Sequence, residues 1–259
     1  MSLLKNEFPI LEYDSSVHAI FDPESAEDVV KKIKLPEKAV FAFLGSCIDD
    51  YAKNIGADIV YTIESITKDY PIYVIEHNGE RICLCQAPMG APAALQNLEI
   101  ILHCGVKKII SAGSCGVLCD IPENQFIIPT KALRDEGSSY HYLPPSRFVD
   151  LDMPMTDHIR RVFSEKSIPF TEGITWTTDA LYRETQDMVN HRKNEGCTTV
   201  DMECAALAAC AKFRGADLGM FFFTADSLAD TEAYDIRDFG RASLVPALHM
   251  CLDIIASAK

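Results

Sequence analysis

Strand-like apolar runs alternate with helix-like runs along most of this 259-residue chain. "KAVFAFLG" and "DLGMFFFTAD" are continuous apolar runs, which are typical of strands that are covered on both faces. Helical patterns lie between such runs, including "APAALQNLEIILHCG" and the alanine-rich "DMECAALAACAKFRG". Strands that alternate with helices in this way predict a mostly parallel sheet with helices packed on it.

One segment departs from this alternation. In "IYVIEHNGERICLCQ" the dipeptide Asn78-Gly79 separates two β-rich runs, which predicts an antiparallel hairpin. We therefore predict an α/β fold: a single three-layer domain whose central, mixed, twisted β-sheet is flanked by helices. The same patterns predict a short helix from about Cys47 to Gly56, strands at 106–112, 126–130 and 169–176, and helices at about 156–166 and 240–257.

No linker rich in Pro, Gly or Ser and no block of charge divides the chain. We therefore predict one domain over residues 1–259, of which residues 1–37 form an N-terminal extension. That extension is expected to contain a helix, because Asp22 is a suitable N-cap, Pro23 suits the first helical position and Pro36 ends the pattern.

The composition argues against several classes of function. The formal net charge of −14 at pH 7 disfavours binding to a nucleic-acid backbone. No segment approaches the ~20 apolar residues that a membrane-spanning helix needs, and the N-terminus lacks the pattern of a signal peptide. The ten cysteines form no CxxC pair and the seven histidines show no metal-binding spacing. We therefore expect reduced, buried cysteines, no metal and a cytoplasmic protein.

Three polar segments fall at predicted strand ends or helix starts: "AGSCG" (112–116), "DMEC" (201–204) and "TADS" (224–227). In open α/β sheets, ligands bind beyond the carboxyl ends of the strands, so these segments predict one site. The glycine-serine segment is expected to be a turn, because small residues let several backbone N–H groups converge on an anion.

Two carboxylates in these segments are candidates for catalysis or binding. Asp226 follows the apolar run "MFFFTA", where partial burial would raise its pKa and suit it to donate a proton; a helix or turn cap is the alternative. Glu203 begins the alanine-rich helix, where the helix dipole favours any carboxylate. The functional alternative is that Glu203 accepts hydrogen bonds from two vicinal sugar hydroxyls while Met202 packs on the sugar ring.

Taken together, these segments resemble the nucleoside phosphorylase superfamily, which contains uridine phosphorylase, hexameric purine nucleoside phosphorylase and the methylthioadenosine/adenosylhomocysteine nucleosidases. The resemblance runs from about Val40 to the C-terminus. "SAGSCGVL" is similar to the family's phosphate-side turn, "VDMECAALA" to its ribose-binding V-E-M-E-A-A-A, and "TADS" to its catalytic S-D segment. "RDEGSSYHYLPP" and "TWTTDALYRET" most resemble the branch labelled nucleoside or uridine phosphorylase.

The resemblance implies a role for each matching residue. Glu203 would bind the ribose 2′ and 3′ hydroxyls beside Met202, and Asp226 would be the acid that assists departure of the base. Phosphate would be contacted by Gly45, Gly113, Ser114 and Lys68. The base would be contacted by Asp179, Leu181, Tyr182 and Arg183. His18 would contact the 5′-hydroxyl of a neighbouring subunit's substrate.

Two positions depart from the family pattern. Phosphorolytic members usually carry an arginine after the first strand and another before the glycine-rich segment; here Asp49 and Ser111 occupy those positions. Lys68 would replace a third arginine, which a neighbouring subunit donates. Other cations that loops could supply are Arg134, Arg183 and Arg237.

The function that the resemblance implies is that of a pentosyltransferase, a uridine phosphorylase-like enzyme of nucleoside salvage. Uridine or a purine nucleoside would react with inorganic phosphate to give free base and ribose 1-phosphate, without a cofactor or metal. The first alternative is a nucleosidase that uses water, and the second is a nucleoside-binding protein without turnover. The family also implies a homo-oligomer, a dimer or a hexamer.

Overall fold

The computed structural model describes residues 3–21, 23 and 33–259. The helix predicted to begin after Asp22 falls on residues outside these ranges, so it stays a prediction. The strands are β1 (Leu3–Leu4), β2 (Tyr13–Asp14), β3 (Lys38–Ala42), β4 (Ile59–Ile63), β5 (Tyr70–His77), β6 (Glu80–Gln86), β7 (Lys108–Val117), β8 (Phe126–Asp135), β9 (Phe148–Asp150), β10 (Phe170–Thr178), β11 (Cys197–Asp201) and β12 (Asp217–Ser227). The α-helices are α1 (Cys47–Asn54), α2 (Ala91–His103), α3 (Pro154–Glu165), α4 (Gln186–Asn194), α5 (Cys204–Arg214) and α6 (Leu244–Ser257).

Strands β3 to β12 form one mixed sheet, which confirms the prediction of a mixed sheet, and this sheet has ten strands. Its order is β11-β10-β8-β12-β7-β3-β6-β5-β4, and β9 pairs with β8. The central pairs β12–β7, β7–β3 and β3–β6 are parallel, whereas β6–β5 and β5–β4 are antiparallel. Strand β11 also pairs with β7, which closes β7, β12, β8, β10 and β11 into a ring.

Helices cover both faces of the sheet, which confirms the three-layer prediction. Helices α2 and α5 bury their apolar side chains against one face, together with Phe222 and Ile109. Helices α1, α3 and α6 bury theirs against the other face, with Phe221 and Ile110. The opposite placement of Phe221 and Phe222 follows from the two-residue period of a strand. A strand covered in this way is apolar at successive positions, which explains the run "MFFF".

The predicted hairpin is present. Strands β5 and β6 are antiparallel, and His77 pairs with Glu80 across the turn. Asn78 and Gly79 have φ values of 51° and 80°, which a two-residue hairpin turn with two positive φ angles requires.

The segment 112–116 is not the turn that we predicted. Strand β7 continues through Val117, and Gly113, Ser114 and Cys115 pair in register with residues of β12. A Cβ atom at Gly113 would lie 3.3 Å from the Cβ of Phe43, which is a tight contact. The glycines therefore permit close packing between strands, and they do not form an anion-binding turn.

The sequence patterns also missed several elements, namely β4, β9, β11 and α4. Each is short, and β11 has only five residues, "CTTVD", of which three are polar. Strand β11 is nevertheless held on two sides, by β10 and by β7.

None of the ten cysteines, all of which lie in the described residues, forms a disulfide, and eight of them are buried. Burial raises the pKa of Cys83, Cys115 and Cys204 well above that of a free thiol, which makes these side chains unreactive. Within the described residues, no helix is long and apolar enough to cross a membrane.

The contact between α3 and β12 gives a test of this packing. A Cβ atom at Gly219 would lie 2.6 Å from Cγ of Met155 and 2.7 Å from Cδ1 of Ile159. We expect Gly219→Ala to lower the free energy of unfolding by about 1–3 kcal/mol, because α3 must move away from the sheet. Gly137→Ala is the control, since its new Cβ would meet only ordinary contacts at 3.6 Å or more. Equal unfolding midpoints in urea for the two variants would contradict this packing.

Candidate active site

A cavity of about 910 Å³ opens at the carboxyl ends of the central strands. Residues at or just beyond the ends of β3, β6, β7, β11 and β12 line it. This is the position that the parallel topology predicts for a ligand site. Five acidic side chains line the cavity, and among the described residues no Lys or Arg does: the acidic ones are Glu184, Asp201, Glu203, Asp226 and Asp230.

Asp201 fixes the junction between β11 and α5. Its buried carboxyl group accepts hydrogen bonds from the backbone N–H groups of Glu203 (2.8 Å) and Cys204 (2.6 Å). The hydroxyl groups of Thr175 and Thr177, both on β10, donate to its other oxygen at 2.8 and 2.9 Å. Burial raises the pKa of Asp201, and the hydrogen bonds oppose that rise. The first turn of α5 is thereby tied to the sheet.

Glu203 lies at the N-cap position of α5, and the residue is only 8% exposed. The backbone N–H of Gly90 donates to Oε1 at 2.6 Å. Burial and the nearby Asp201 raise the pKa of Glu203 to about 8. Met202 lines the cavity beside it. A carboxylate has about four lone-pair sites, so backbone donors such as Gly90 leave sites free for hydroxyl groups of a ligand.

Asp226 lies within β12, so it caps neither a helix nor a turn. The hydroxyl group of Tyr234 donates to Oδ2 of Asp226 at 3.1 Å. Burial and the charge of Asp226 raise the pKa of Tyr234 to about 12, so the hydroxyl remains a donor at neutral pH. Gly116 leaves space for this carboxylate, because a Cβ there would lie 3.4 Å from its Oδ1 and 2.9 Å from Cγ1 of Val200.

Glu184 is a cavity residue that the sequence patterns missed. It follows the short 3₁₀ turn Leu181–Arg183, and its side chain lines the cavity near Asp226. Burial and then the charge of Asp226 raise the pKa of Glu184 to about 7. No motif marks this residue, because its position depends on how the turn folds over the cavity.

The residues predicted to contact phosphate are only partly brought together. Gly45, Gly113 and Ser114 line the cavity. Lys68 does not, although its Nζ donates to Oε1 of the cavity residue Gln86 at 2.8 Å. Lys68 also lies over the ring of Tyr70, another lining residue, 5.2 Å from the ring centroid. Lys68 therefore sits behind the rim of the cavity.

Ser111 and Asp49 occupy the two positions at which phosphorolytic members of the family usually carry an arginine. Ser111 is fully buried and does not line the cavity, and its hydroxyl has no hydrogen-bond partner within the described part of the chain. Asp49 lies on α1 and accepts a hydrogen bond from the hydroxyl of Tyr73 at 3.2 Å. Neither residue supplies positive charge.

The loop arginines do not replace the missing cations. Arg134, on β8, is buried and donates to Ser139, Ser146 and the carbonyl groups of Leu143 and Pro144, so its guanidinium is engaged by the segment 139–146. The other two arginines do not line the cavity: Arg183 is exposed, and Arg237 bonds to Asp235 and to the carbonyl of Ala225. None of these three arginines lines the cavity of the single chain, so a contact between one of them and phosphate stays a prediction.

Of the four residues predicted to bind the base, two line the cavity and two do not. Leu181 and Tyr182 line the cavity mouth, where Tyr182 is 95% exposed. Asp179 and Arg183 do not line it, and Asp179 accepts a hydrogen bond from the backbone N–H of Gly137 at 2.8 Å. Asp179 thus holds the neighbouring loop.

His18 is remote from the cavity of its own chain. It is exposed and lines a separate groove with Glu99, His103 and Arg214. Its predicted contact with a neighbouring subunit's substrate stays a prediction.

The sequence profile described as the Phosphorylase superfamily matches residues 39–253. This range extends from β3 into α6 and contains all the residues that line the cavity. The chain belongs to the phosphorylase superfamily. The resemblance stated from "SAGSCGVL", "VDMECAALA" and "TADS" is thereby confirmed.

The individual proteins that match this chain are distant relatives with low sequence identity. A guanosine phosphorylase of Halorubrum lacusprofundi is 23% identical over 153 residues, which cover 59% of this chain and 64% of that protein. The match thus spans less than two thirds of the relative's own length.

Two solved structures have the same fold as this chain. A uridine phosphorylase from Vibrio fischeri ES114 superimposes with a TM-score of 0.72 at 18% identity, over 88% of this chain and 95% of that one. An AMP nucleosidase from Bacteroides thetaiotaomicron VPI-5482 does so with a TM-score of 0.68 at 18% identity, over 86% and 88%. At this identity the likeness establishes the fold.

The raised pKa of Glu203 predicts how stability depends on pH. A carboxyl group whose pKa is about 8 when folded and near 4.5 when unfolded stabilises the fold at low pH and loses that contribution as pH rises toward 8. Glutamine does not ionise, so we expect this loss to be absent in Glu203→Gln. As pH rises from 5 to 8, the free energy of unfolding of the variant should therefore increase on the order of 3 kcal/mol relative to that of wild type.

Urea unfolding of the ligand-free protein at both pH values measures this difference. Glu232→Gln, at an exposed glutamate, is the control and should show no gain. A constant difference between Glu203→Gln and wild type across this range would contradict the prediction.

Proposed function

We propose that this protein cleaves the N-glycosidic bond of a (deoxy)ribonucleoside with inorganic phosphate, giving free base and (deoxy)ribose 1-phosphate. The observation that carries the proposal is that two carboxyl groups, of Glu203 and Asp226, line one cavity together with a strip of small residues on β7. Bond cleavage of this kind needs a group that holds the sugar, a group that assists the leaving base and an acceptor at C1′. The cavity has residues suited to each.

Glu203 is the proposed ligand of the ribose hydroxyls. Its carboxyl group is buried, is fixed through Asp201 and Gly90, and has lone pairs available. The 2′ and 3′ hydroxyls of a ribose can both donate to such a group. Met202 is in place to pack on the sugar ring.

Asp226 is the proposed acid at the base end. The leaving base takes the electron pair of the glycosidic bond, and a proton on the base lowers the cost of that charge. The Tyr234 hydroxyl and the space next to Gly116 hold Asp226 in one position. A protein that only binds nucleosides would not need this group.

Phosphate is the proposed acceptor, in keeping with the relative that is named a guanosine phosphorylase. Gly45, Gly113 and Ser114 would lie against the anion. Lys68 of a neighbouring subunit would supply a cation to this phosphate. Charge-assisted hydrogen bonds are the strongest contacts that a protein can offer phosphate.

Hydrolysis is the second candidate, and the charge of the cavity favours it. Among the described lining residues five are acidic and none is basic, which disfavours a dianion but not a water molecule. The AMP nucleosidase among the structural neighbours shows that a protein named for that reaction has this fold.

Release of free base from a panel of uridine, adenosine, inosine and guanosine distinguishes these candidates. We expect release that depends on phosphate and is accompanied by ribose 1-phosphate. Release of equal rate without phosphate, accompanied by free ribose, would favour hydrolysis. No release from any nucleoside, with binding retained, would favour a binding protein.

The role of Asp226 predicts the effect of Asp226→Asn. We expect kcat to fall by about 100-fold or more, because the group that assists the leaving base is lost, while nucleoside binding changes far less. Asp187→Asn, at an exposed residue of α4, is the control and should leave both unchanged. Stopped-flow turnover and calorimetric binding measure the two quantities. An equal loss of both would contradict a catalytic role.

We also propose that the protein forms a homo-oligomer, a dimer or a hexamer, whose sites are completed by a neighbouring subunit. Such sharing would supply the positive charge that the cavity of one chain lacks, with Lys68 and His18 as the residues to be shared. The exposed Ile66, two residues from Lys68, suits burial in such an interface. A cytoplasmic location and a role in nucleoside salvage stay predictions.

A further inference from the structure

The segment 228–240 carries the chain from the end of β12 toward α6, and we call it the wall segment. It supplies several of the residues that line the cavity, namely Leu228, Asp230, Thr231, Tyr234 and Phe239. The Tyr234 hydroxyl in this segment donates to Oδ2 of Asp226 at 3.1 Å. The wall segment contains neither a helix nor a strand of the sheet, so its shape depends on contacts with the rest of the chain.

The end of the wall segment has an unusual backbone. Arg237 and Phe239 have φ values of 48° and 54°, in the left-handed region that residues other than glycine rarely adopt. Gly240 follows with a φ of 64°, and a Cβ atom there would lie 2.7 Å from Cδ2 of Phe223 on β12. A backbone of this kind persists only where surrounding contacts hold it, and it is often found at functional sites.

The side chain of Glu123 provides such contacts. Its Oε1 accepts hydrogen bonds from the backbone N–H groups of Asp238 at 3.0 Å and of Gly240 at 2.7 Å. These two N–H groups flank Phe239, so one carboxylate fixes the backbone on both sides of that residue. Hydrogen bonds to a carboxylate are stronger than those between neutral groups. Glu123 thereby holds Phe239 in its place in the cavity lining.

Glu123 is itself tied to β12. It lies in the loop between β7 and β8, and its neighbours in that loop bond to Thr224 of β12. The Thr224 hydroxyl donates to the carbonyl of Pro122 at 2.7 Å, and the backbone N–H of Asn124 donates to the carbonyl of Thr224 at 2.9 Å. The N–H of Gln125 donates to the Thr224 hydroxyl at 2.9 Å. The sheet therefore provides a fixed base for the Glu123 side chain.

The other anchors of the wall segment lie before Phe239. Ser227 and Asp235 exchange backbone hydrogen bonds of 2.8 and 3.1 Å. Nη1 of Arg237 donates to a carbonyl group of β12 at 3.3 Å. These contacts fix the wall segment as far as Arg237, whereas the two hydrogen bonds to Glu123 extend the fixation across Phe239.

We propose that Glu123 is a positioning residue for nucleoside binding, because it holds Phe239 and Tyr234 in place before the nucleoside binds. The proposal rests on the function proposed above, since it takes a nucleoside as the ligand. Glu123 does not line the cavity, so it acts through the wall segment. A protein whose binding-competent conformation is only partly populated binds more weakly by that fraction. Holding the wall segment therefore strengthens binding without any contact between Glu123 and the nucleoside.

Steady-state kinetics separate positioning from a loss of stability. We expect Glu123→Ala to raise KM for the nucleoside about tenfold and to leave kcat nearly unchanged, because a saturating nucleoside restores the wall segment. Glu123→Gln should keep the wild-type KM, since its carboxamide oxygen can accept both hydrogen bonds. A variant that merely unfolds more readily would instead lose kcat at unchanged KM.

Asp120→Ala, at an exposed residue of the same loop, is the matched control and should keep both constants. A wild-type KM in Glu123→Ala would overturn the proposal. So would a KM in Glu123→Gln that is raised as much as in Glu123→Ala.

Hydrogen exchange tests the contact itself. In wild type the backbone amides of Asp238 and Gly240 should exchange slowly, and in Glu123→Ala they should exchange about tenfold faster. Glu123→Gln should restore the slow exchange. Equal exchange of these two amides in wild type and Glu123→Ala would show that Glu123 does not hold the wall segment, and the proposal would fail.

Calorimetric binding of a purine and a pyrimidine C-nucleoside, which cannot be cleaved, makes the test independent of turnover. We expect Glu123→Ala to weaken binding about tenfold in the wild-type background and to have no further effect in a Phe239→Ala background. Binding that depends on Glu123 in a protein that cleaves no nucleoside would support the positioning role and contradict the proposed reaction. Cleavage combined with binding that is independent of Glu123 would support the reaction and overturn the positioning role. Failure of wild type to bind either C-nucleoside would also overturn it.

Discussion

The buried carboxyl group of Asp201 is the contact on which the site depends. It joins the end of β11 to the first turn of α5 and to two threonines of β10. Glu203 owes its position to this junction, because its own backbone N–H is one of the donors. The N–H of Ala205 also donates to the Thr177 hydroxyl, which fixes the helix start a second time. A polar network that is satisfied in this way rigidifies the residue that it carries.

Charge is the property that most distinguishes this cavity. Its lining residues include five acids and, within the described ranges, no base. An acidic lining of this kind suits the hydroxyl groups of a sugar and the N–H groups of a base. It offers no cation to a bound phosphate. The proposed sharing of residues between subunits and the second candidate, hydrolysis, both follow from this one imbalance.

Much of the fold could be predicted because apolar periodicity is a local property. The strand around Phe221 and Phe222 and the hairpin at Asn78 carry their signals within a few residues. The segment 112–116 misled the prediction, since its glycines and serine are typical of a turn. Pairing with β12 and β11 and the close approach of Phe43 keep it extended. Strand β11 was missed because its polar residues Thr199 and Asp201 are buried only by tertiary contacts.

Glu203 and Asp226 could be found from sequence because each lies in a recognisable motif at a strand end. Glu184 could not be found in this way, because only the folding of its turn brings it into the cavity that Asp226 lines.

The most direct test of the account is a crystal structure with bound phosphate and a C-nucleoside, whose carbon–carbon bond prevents cleavage. We predict that its 2′ and 3′ hydroxyls contact the Glu203 carboxyl group and that its base contacts Asp226. A sugar bound away from Glu203, or a base turned away from Asp226, would contradict the account.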